Sequence, residues 1–239
     1  MTSVVKRMDG AFYPGVKSNW DDDLLRRTIL THVRPDATIL DVGAGAGILA
    51  QMNFRGAAAR VCGVDLDPRV TSNPFLDEGK LADAGRIPYA DAMFDLAFAD
   101  NVLEHLDAPA VVLAEIARVL KPGGVFVFKT PNKHHYMPTI SRLTPHSFHQ
   151  YYNKLRGRKE GDTFPTHYRA NTRRDIKQLA TGAGLVAERI KCIEGRPEYL
   201  RLTPVTYLAG VTYERLVNSA RLFEGLRIAL IGELRKPSR

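Results

Sequence analysis

Asp41, Gly43, Gly45 and Gly47 alternate along one short stretch, Thr38-Ile39-Leu40-Asp41-Val42-Gly43-Ala44-Gly45-Ala46-Gly47-Ile48-Leu49. An apolar run ends there in an acid, passes through a turn with three glycines and opens an apolar-periodic segment. The pattern predicts a buried strand, a tight loop and the start of a helix. Glycine lets a backbone come close to a ligand. A helix start would add free N–H groups and partial positive charge. Eighteen residues after Gly47 a second apolar run, Arg60-Val61-Cys62-Gly63-Val64-Asp65, ends in another acid. An acid at the tip of the second strand of such a unit is placed to bind a ribose diol. Together these features call for an adenosine-bearing ligand.

Spacing narrows the ligand. The dinucleotide fingerprint is G-x-G-x-x-G, with a pyrophosphate facing the loop. Here the order is D-x-G-x-G-x-G. An acid two positions before the first glycine would repel a pyrophosphate; it suits an ammonium group beside a carboxylate. At this point the sequence resembles the class I S-adenosylmethionine-dependent methyltransferases. Leu81-Ala82-Asp83-Ala84-Gly85-Arg86-Ile87-Pro88-Tyr89 looks like the family's third motif. Met93-Phe94-Asp95-Leu96-Ala97-Phe98-Ala99-Asp100-Asn101-Val102-Leu103-Glu104-His105-Leu106 and Val119-Leu120-Lys121-Pro122-Gly123-Gly124 look like the fourth and fifth. The likeness is to the small-molecule branch, the type 11 methyltransferase domain, and is strong over residues 36–130.

The resemblance implies an α/β fold: a Rossmann-like, seven-stranded, mostly parallel sheet flanked by helices. An insertion would follow strand five, and an extra helical segment would lie between strands six and seven. It also implies S-adenosyl-L-methionine as cofactor. Gly43, Gly45 and Gly47 would cradle its methionine end, with Asp41 facing the ammonium. Asp65 would take the ribose hydroxyls, Leu66 would lie against the adenine, and Asp83 with the Ala84 N–H would meet the adenine edge. Asp100 and Asn101 would stand near the methyl-bearing sulfur. The implied activity is in-line methyl transfer to a small-molecule or glycan-like acceptor, at oxygen. RNA, or a lipid or quinone at a membrane surface, are the alternative acceptors. A base is needed only if the nucleophile must lose a proton. His134 and His135, directly after strand five, and His105, after strand four, are the candidates. No spacing of His, Cys, Asp or Glu argues for a metal.

These residues need a frame. The sequence predicts strands near 38–42, 60–65, 79–82, 95–99, 124–130, 185–193 and 226–234. Trp20-Asp21-Asp22-Asp23 precedes an apolar-periodic segment and predicts an acid-capped helix. Pro109 opens a helix through Leu120, which Lys121-Pro122-Gly123-Gly124 stops. Asn171-Thr172 caps a further helix that Gly184 ends, and Thr203 to Phe223 reads as a helical segment. The chain reads as a single domain, 1–239. It has an N-terminal cap (1–35), a cofactor-binding half (36–130), a substrate-binding insertion (131–171) and a C-terminal half (172–239).

The net charge of +8 is concentrated. From Lys133 to Lys177 lie ten basic residues against Glu160, Asp162 and Asp175, so seven of the eight excess charges fall there. His134, His135, His146, His149 and His167 lie there too, and Tyr136, Tyr151, Tyr152, Phe164 and Tyr168 are interleaved. The segment suits an anionic acceptor. Cys62 and Cys192 sit in apolar runs without disulfide or metal spacing, which points to a reducing cytoplasm. No signal-peptide core and no run of membrane-span length appears. Nucleic acid is not the expected partner. Peripheral membrane contact and homo-oligomerisation are compatible with the sequence.

Overall fold

The computed structural model describes residues 3–16, 19–143 and 165–238, and along 140–143 the backbone alone. Arg142, His146, His149, Tyr151, Tyr152, Lys154, Arg156, Arg158, Lys159 and Phe164 therefore lie outside the described side chains. The chain divides into two compact units. One comprises residues 19–131, 167–191 and 230–239; the other comprises 1–18, 132–166 and 192–229.

In chain order the helices are α1 (Ser3–Phe12), α2 (Trp20–Leu30), α3 (Pro109–Val119), α4 (Tyr136–Leu143), α5 (Arg173–Gly182) and α6 (Pro204–Ser219). The strands are β1 (Thr38–Val42), β2 (Arg60–Asp65), β3 (Glu78–Leu81), β4 (Phe94–Asp100), β5 (Leu120–Pro131), β6 (Val186–Ile193) and β7 (Ala229–Arg235). They form one sheet of order β3-β2-β1-β4-β5-β7-β6. The β1–β2, β1–β4, β2–β3 and β4–β5 pairs are parallel. At one end Gly123 N–H donates to Lys236 O and Lys236 N–H to Gly124 O. At the other, Asn132 N–H donates to Ile228 O, so β7 runs antiparallel to β5. This is the seven-stranded, mostly parallel, Rossmann-like sheet implied by the resemblance.

The central strands are apolar on both faces, as a covered parallel sheet requires. Ile39, Leu40, Leu96, Ala97, Phe98, Val125, Phe126, Val127 and Phe128 are all buried. At the β3 and β6 edges the side chains turn outward. Pro109 opens α3 at a position whose N–H would be unpaired anyway, and Val112, Leu113, Ile116 and Val119 form its buried stripe. Thr172 caps α5 through Asp175 N–H at 3.0 Å, and Gly184 leaves it with φ +72°.

Three local expectations change. The helix predicted to open after Gly47 does not form; only a 3₁₀ turn, Ala50–Met52, stands there. A first helical turn fixes many dihedrals for one hydrogen bond, and the apolar segment is too short to offset that. The Asn53 side chain bonds Arg55 N–H at 3.1 Å, and Gly56 takes φ +81°. Arg26 of α2 then takes the carbonyls of Gln51 and Asn53 at 2.6 and 2.7 Å. Its guanidinium lies 4.7 Å over the Phe54 ring, which meets Phe98 edge-on. Next, α2 starts at Trp20 with no side-chain cap, so Asp21, Asp22 and Asp23 occupy its first turn. Finally, β5 begins at Leu120. Leu120 pairs with Phe94 and Val125 with Leu96, so residues 121–124 bulge out of the ladder, with Gly123 at φ +79°.

The second unit is helical. Val5 of α1 packs with Tyr207 and Val211 of α6. Asp9 accepts from Tyr207 Oη at 2.9 Å, and Arg201 and Arg196 flank it. Thr203 and Thr206 form a capping box at the start of α6. That helix ends at Ser219; extended Ala220 separates it from a 3₁₀ segment, Arg221–Leu226, where one continuous helix was expected.

Candidate functional site

The loop after β1 is fixed from two sides. Gly43 N–H donates to Val64 O at 2.8 Å, and Asn73 Nδ2 donates to Ala44 O and Gly45 O at 3.0 and 3.2 Å. A Cβ on Gly43 would drive into Val102, and one on Gly47 into Asn73 and Pro74. These two glycines serve close packing. Gly45 differs: its φ is +51°, and a Cβ would meet only Asp65 Oδ2, at 3.9 Å. Gly45 is therefore the one of the three with open space in front of it.

Carboxylates converge here. Asp65 Oδ2 accepts from Gly45 N–H and Oδ1 from Asp67 N–H, both at 2.7 Å. Asp41, at the tip of β1, is buried. Burial, then the negative charges of Asp100 and Asp65, push its carboxyl well above the usual range. Asp100 ends β4, and both its oxygens are buried without an aligned hydrogen bond. Lys129 Nζ lies 3.0 Å from Asp100 Oδ1 as an ionic neighbour. Burial raises Asp100 to about 6 against the pull of Lys129, with Asp22 and Asp21 raising it further. Asn101, the next residue, has a left-handed backbone, φ +53°. Its N–H donates to Lys129 O at 3.0 Å. Asparagine tolerates that conformation better than most residues, and the bend turns the chain away directly after Asp100.

Leu66 is 68% exposed beside this cluster in sequence, open to a flat ligand. Asp83 Oδ1 accepts from Gly85 N–H at 2.7 Å and its carbonyl from Arg86 N–H at 2.9 Å, so Asp83 builds a turn around half-buried Ala84. His105 is partly exposed, with Nε2 3.9 Å from Glu104 Oε1. His134 is exposed; its N–H donates to Asn132 Oδ1 at 3.1 Å. His135 is 1% exposed, in the helical unit, with its ring against Tyr136 and Tyr213 and Nε2 3.7 Å from Glu194. Burial lowers it to about 3, so it is a neutral, weakly basic imidazole. Burial also raises Glu194, to about 8, against hydrogen bonds from the Ile228 and Gly195 N–H groups. Among the described residues no group of three or more His, Cys, Asp or Glu could hold a metal ion.

Two functional candidates escaped the sequence reading. Lys129 is 1% exposed and touches Asp21, Asp22 and Asp100. A lysine ending the apolar run Val125-Phe126-Val127-Phe128 was the available signal. Glu104 is 4% exposed and accepts from Thr130 Oγ1 at 3.1 Å. Burial raises it to about 7, against its own backbone hydrogen bond and the Thr130 contact. Nothing in its residue type separates it from an exposed helix-edge acid.

The site thus offers Asp41, Asp65 and Asp100, with one buried lysine shared among Asp100 and two further acids. Buried Asp41, an Asp100 whose Oδ2 has no hydrogen-bond partner, and Asp65 at the open glycine fit a ligand carrying positive charge. S-adenosylmethionine has that character in its ammonium and its sulfonium. Asp41 and Asp100 would hold the charged end, and Asp65 and Leu66 the nucleoside end.

Comparisons agree with this chemistry. Residues 40–128 match the family model described as a methyltransferase domain. Ubiquinone biosynthesis O-methyltransferase of Thiobacillus denitrificans is 36% identical over 104 residues, 40% of this chain and 44% of that protein. Malonyl-[acyl-carrier protein] O-methyltransferase of Serratia marcescens is 33% identical over 104 residues, 40% of this chain and 39% of that protein. The chain thus spans less than half the length of either relative. The solved geranyl diphosphate C-methyltransferase of Streptomyces coelicolor, bound to Mg2+, geranyl diphosphate and S-adenosyl-L-homocysteine, has the same fold. It superposes with a TM-score of 0.56 at 17% identity, over 97% of this chain and 86% of that one. Over residues 40–128 this chain is thus similar to a methyltransferase domain, in agreement with its resemblance to the class I S-adenosylmethionine-dependent family.

Proposed function

We propose that the chain catalyses S-adenosylmethionine-dependent methyl transfer to a small-molecule or glycan-like acceptor, at oxygen, by in-line displacement. The carrying observations are Asp65 on the N–H of the open Gly45, the charges of Asp65 and Asp100 acting on buried Asp41, and the Lys129 ammonium 3.0 Å from Asp100. The cofactor, when bound, supplies a methyl group already activated by its sulfonium. The protein's task is to hold nucleophile and methyl in line, which supplies about 7–11 kcal/mol in well-oriented systems. Both relatives reported above are named as O-methyltransferases, which supports an oxygen acceptor.

An alcohol or phenol must give up its proton. Partly exposed His105, beside buried Glu104 after β4, is the candidate acceptor in the sheet unit, and exposed His134 is the second. His135 is a weaker base on account of its burial. Isothermal titration of the folded protein with S-adenosylhomocysteine tests the cofactor assignment. Binding is expected, and Asp65→Ala is expected to weaken it about tenfold, the equivalent of about 1.4 kcal/mol. Folded wild-type protein that gives no binding heat would overturn it.

A lipid or quinone acceptor is the second reading. Val205, Leu208 and Leu216 of α6, and Leu222 after it, are exposed, and the three on α6 fall along one stripe. The Thiobacillus denitrificans relative is named for ubiquinone biosynthesis. Flotation with anionic vesicles separates the two readings; protein remaining at the bottom of the gradient removes the membrane surface. Among the described residues no helix is long and apolar enough to cross a membrane.

A further inference from the structure

Lys129 carries an unusual burden. It is 1% exposed at the carboxyl-terminal part of β5, and its Nζ reaches Asp21 Oδ2 at 2.9 Å, Asp100 Oδ1 at 3.0 Å and Asp22 Oδ1. Asp21 and Asp22 belong to the first turn of α2, and Asp100 to the tip of β4. One ammonium therefore answers three carboxylates from two elements. Burial works against the ammonium, and Asp100, Asp21 and Asp22 outweigh it, so its pKa is raised and it stays charged. A buried ammonium with such partners cannot be withdrawn without leaving uncompensated charge.

We propose that Lys129 is the positioning residue of the methyl-transfer site, holding Asp100 ionised at the tip of β4 while α2's two aspartates compete for the same ammonium. The inference rests on the cofactor assignment made above. The groups facing Asp100 are Lys129 from β5, Asp21 and Asp22 from α2, Asp41 from β1, and Glu104 in the segment after β4. Only Lys129 favours the ionised form. Asp22 and Asp21 act twice, by direct repulsion and by drawing the ammonium toward α2. A ligand ammonium needs the ionised carboxylate, so cofactor affinity should fall on acidification as Asp100 takes up a proton. Lys129 sets where that fall occurs, without touching the ligand itself.

The competition gives two variants of opposite sign. S-adenosylhomocysteine affinity is measured by isothermal titration between about pH 5 and pH 8. Lys129→Met removes the ammonium at similar length, so the midpoint of the acid limb should move to higher pH by about one unit and affinity at neutral pH should drop about tenfold or more. Asp22→Asn frees the ammonium for Asp100, so the midpoint should move to lower pH. Lys129→Arg should retain most of the wild-type midpoint. A merely structural role would lower affinity at every pH without moving the midpoint. Should Lys129→Met fail to fold by circular dichroism, Asp22→Asn decides. Wild-type protein that binds, with midpoints unmoved in Lys129→Met and Asp22→Asn, overturns the role of Lys129 alone. Wild-type protein that does not bind overturns the cofactor assignment, and this role with it.

Discussion

Glu104 is the group whose removal should stabilise the protein, by an amount that grows with pH. It is 4% exposed, and burial raises its carboxyl from 4.5 to about 7. The native state therefore binds this proton more tightly than the unfolded chain does. Its favourable contribution is full below the unfolded value and is lost as pH rises through about 7. A difference of that size corresponds to about 3 kcal/mol at pH 8 and under about 1 kcal/mol at pH 5, at 1.36 kcal/mol for each pKa unit. Glu104→Gln keeps the shape and an oxygen for the 3.1 Å contact from Thr130 Oγ1, and removes the titration. The assay is urea denaturation of wild type and Glu104→Gln at several pH values across that range. Wild type should lose stability relative to the variant as pH rises, with the gap opening by about 2 kcal/mol between pH 5 and pH 8. Two curves that stay parallel would refute the claim that Glu104 is buried with a raised affinity for its proton.

Gly43→Ala and Gly45→Ala should separate packing from ligand approach. Both residues have positive φ, which costs an alanine about 1 kcal/mol. Gly43→Ala adds a collision with Val102, so it should lose a further 1–3 kcal/mol or so in chemical denaturation. Gly45→Ala should stay within about 1 kcal/mol of wild type yet bind S-adenosylhomocysteine far more weakly; unaltered binding would show that no ligand approaches Gly45. In the helical unit, Asp9→Ala strips Arg201, Arg196 and Tyr207 Oη of a shared partner and should cost about 3 kcal/mol. A loss below about 0.5 kcal/mol in the same assay would mean that these arginines are satisfied elsewhere.

Much of the sheet is legible because its strands are long apolar runs ended by charged or glycine residues. Asp41 and Asp65 reveal themselves by ending such runs, and Pro109 and Thr172 mark helix starts by their own backbone chemistry. The predicted helix after Gly47 shows the opposite case. Its apolar residues kept helical spacing, yet Ile48 is 76% exposed and the segment is a single 3₁₀ turn. A pattern of spacing carries no information on whether the face finds a partner, nor on Arg26 arriving from another helix to take the carbonyls. Asp21 and Asp22 were legible as first-turn acids. Their pairing with Lys129 depends on contacts more than a hundred residues apart in sequence, which no local pattern encodes. His135 illustrates the same limit, since a histidine in a polar stretch turned out to sit under tyrosines.

The order of the sheet has a consequence for how this molecule could diversify. β1 and β4 are neighbours although two strands separate them along the chain, because the connection reverses direction between them. The placing of Asp41 and Asp100 on neighbouring strand ends is thus a product of wiring, fixed by backbone ladders. Segments grafted onto the rim, however long or altered, would leave these two acids where they are. Under the proposed function, substitutions outside the sheet retune what is methylated while the proposed seat of the methyl donor stays inherited.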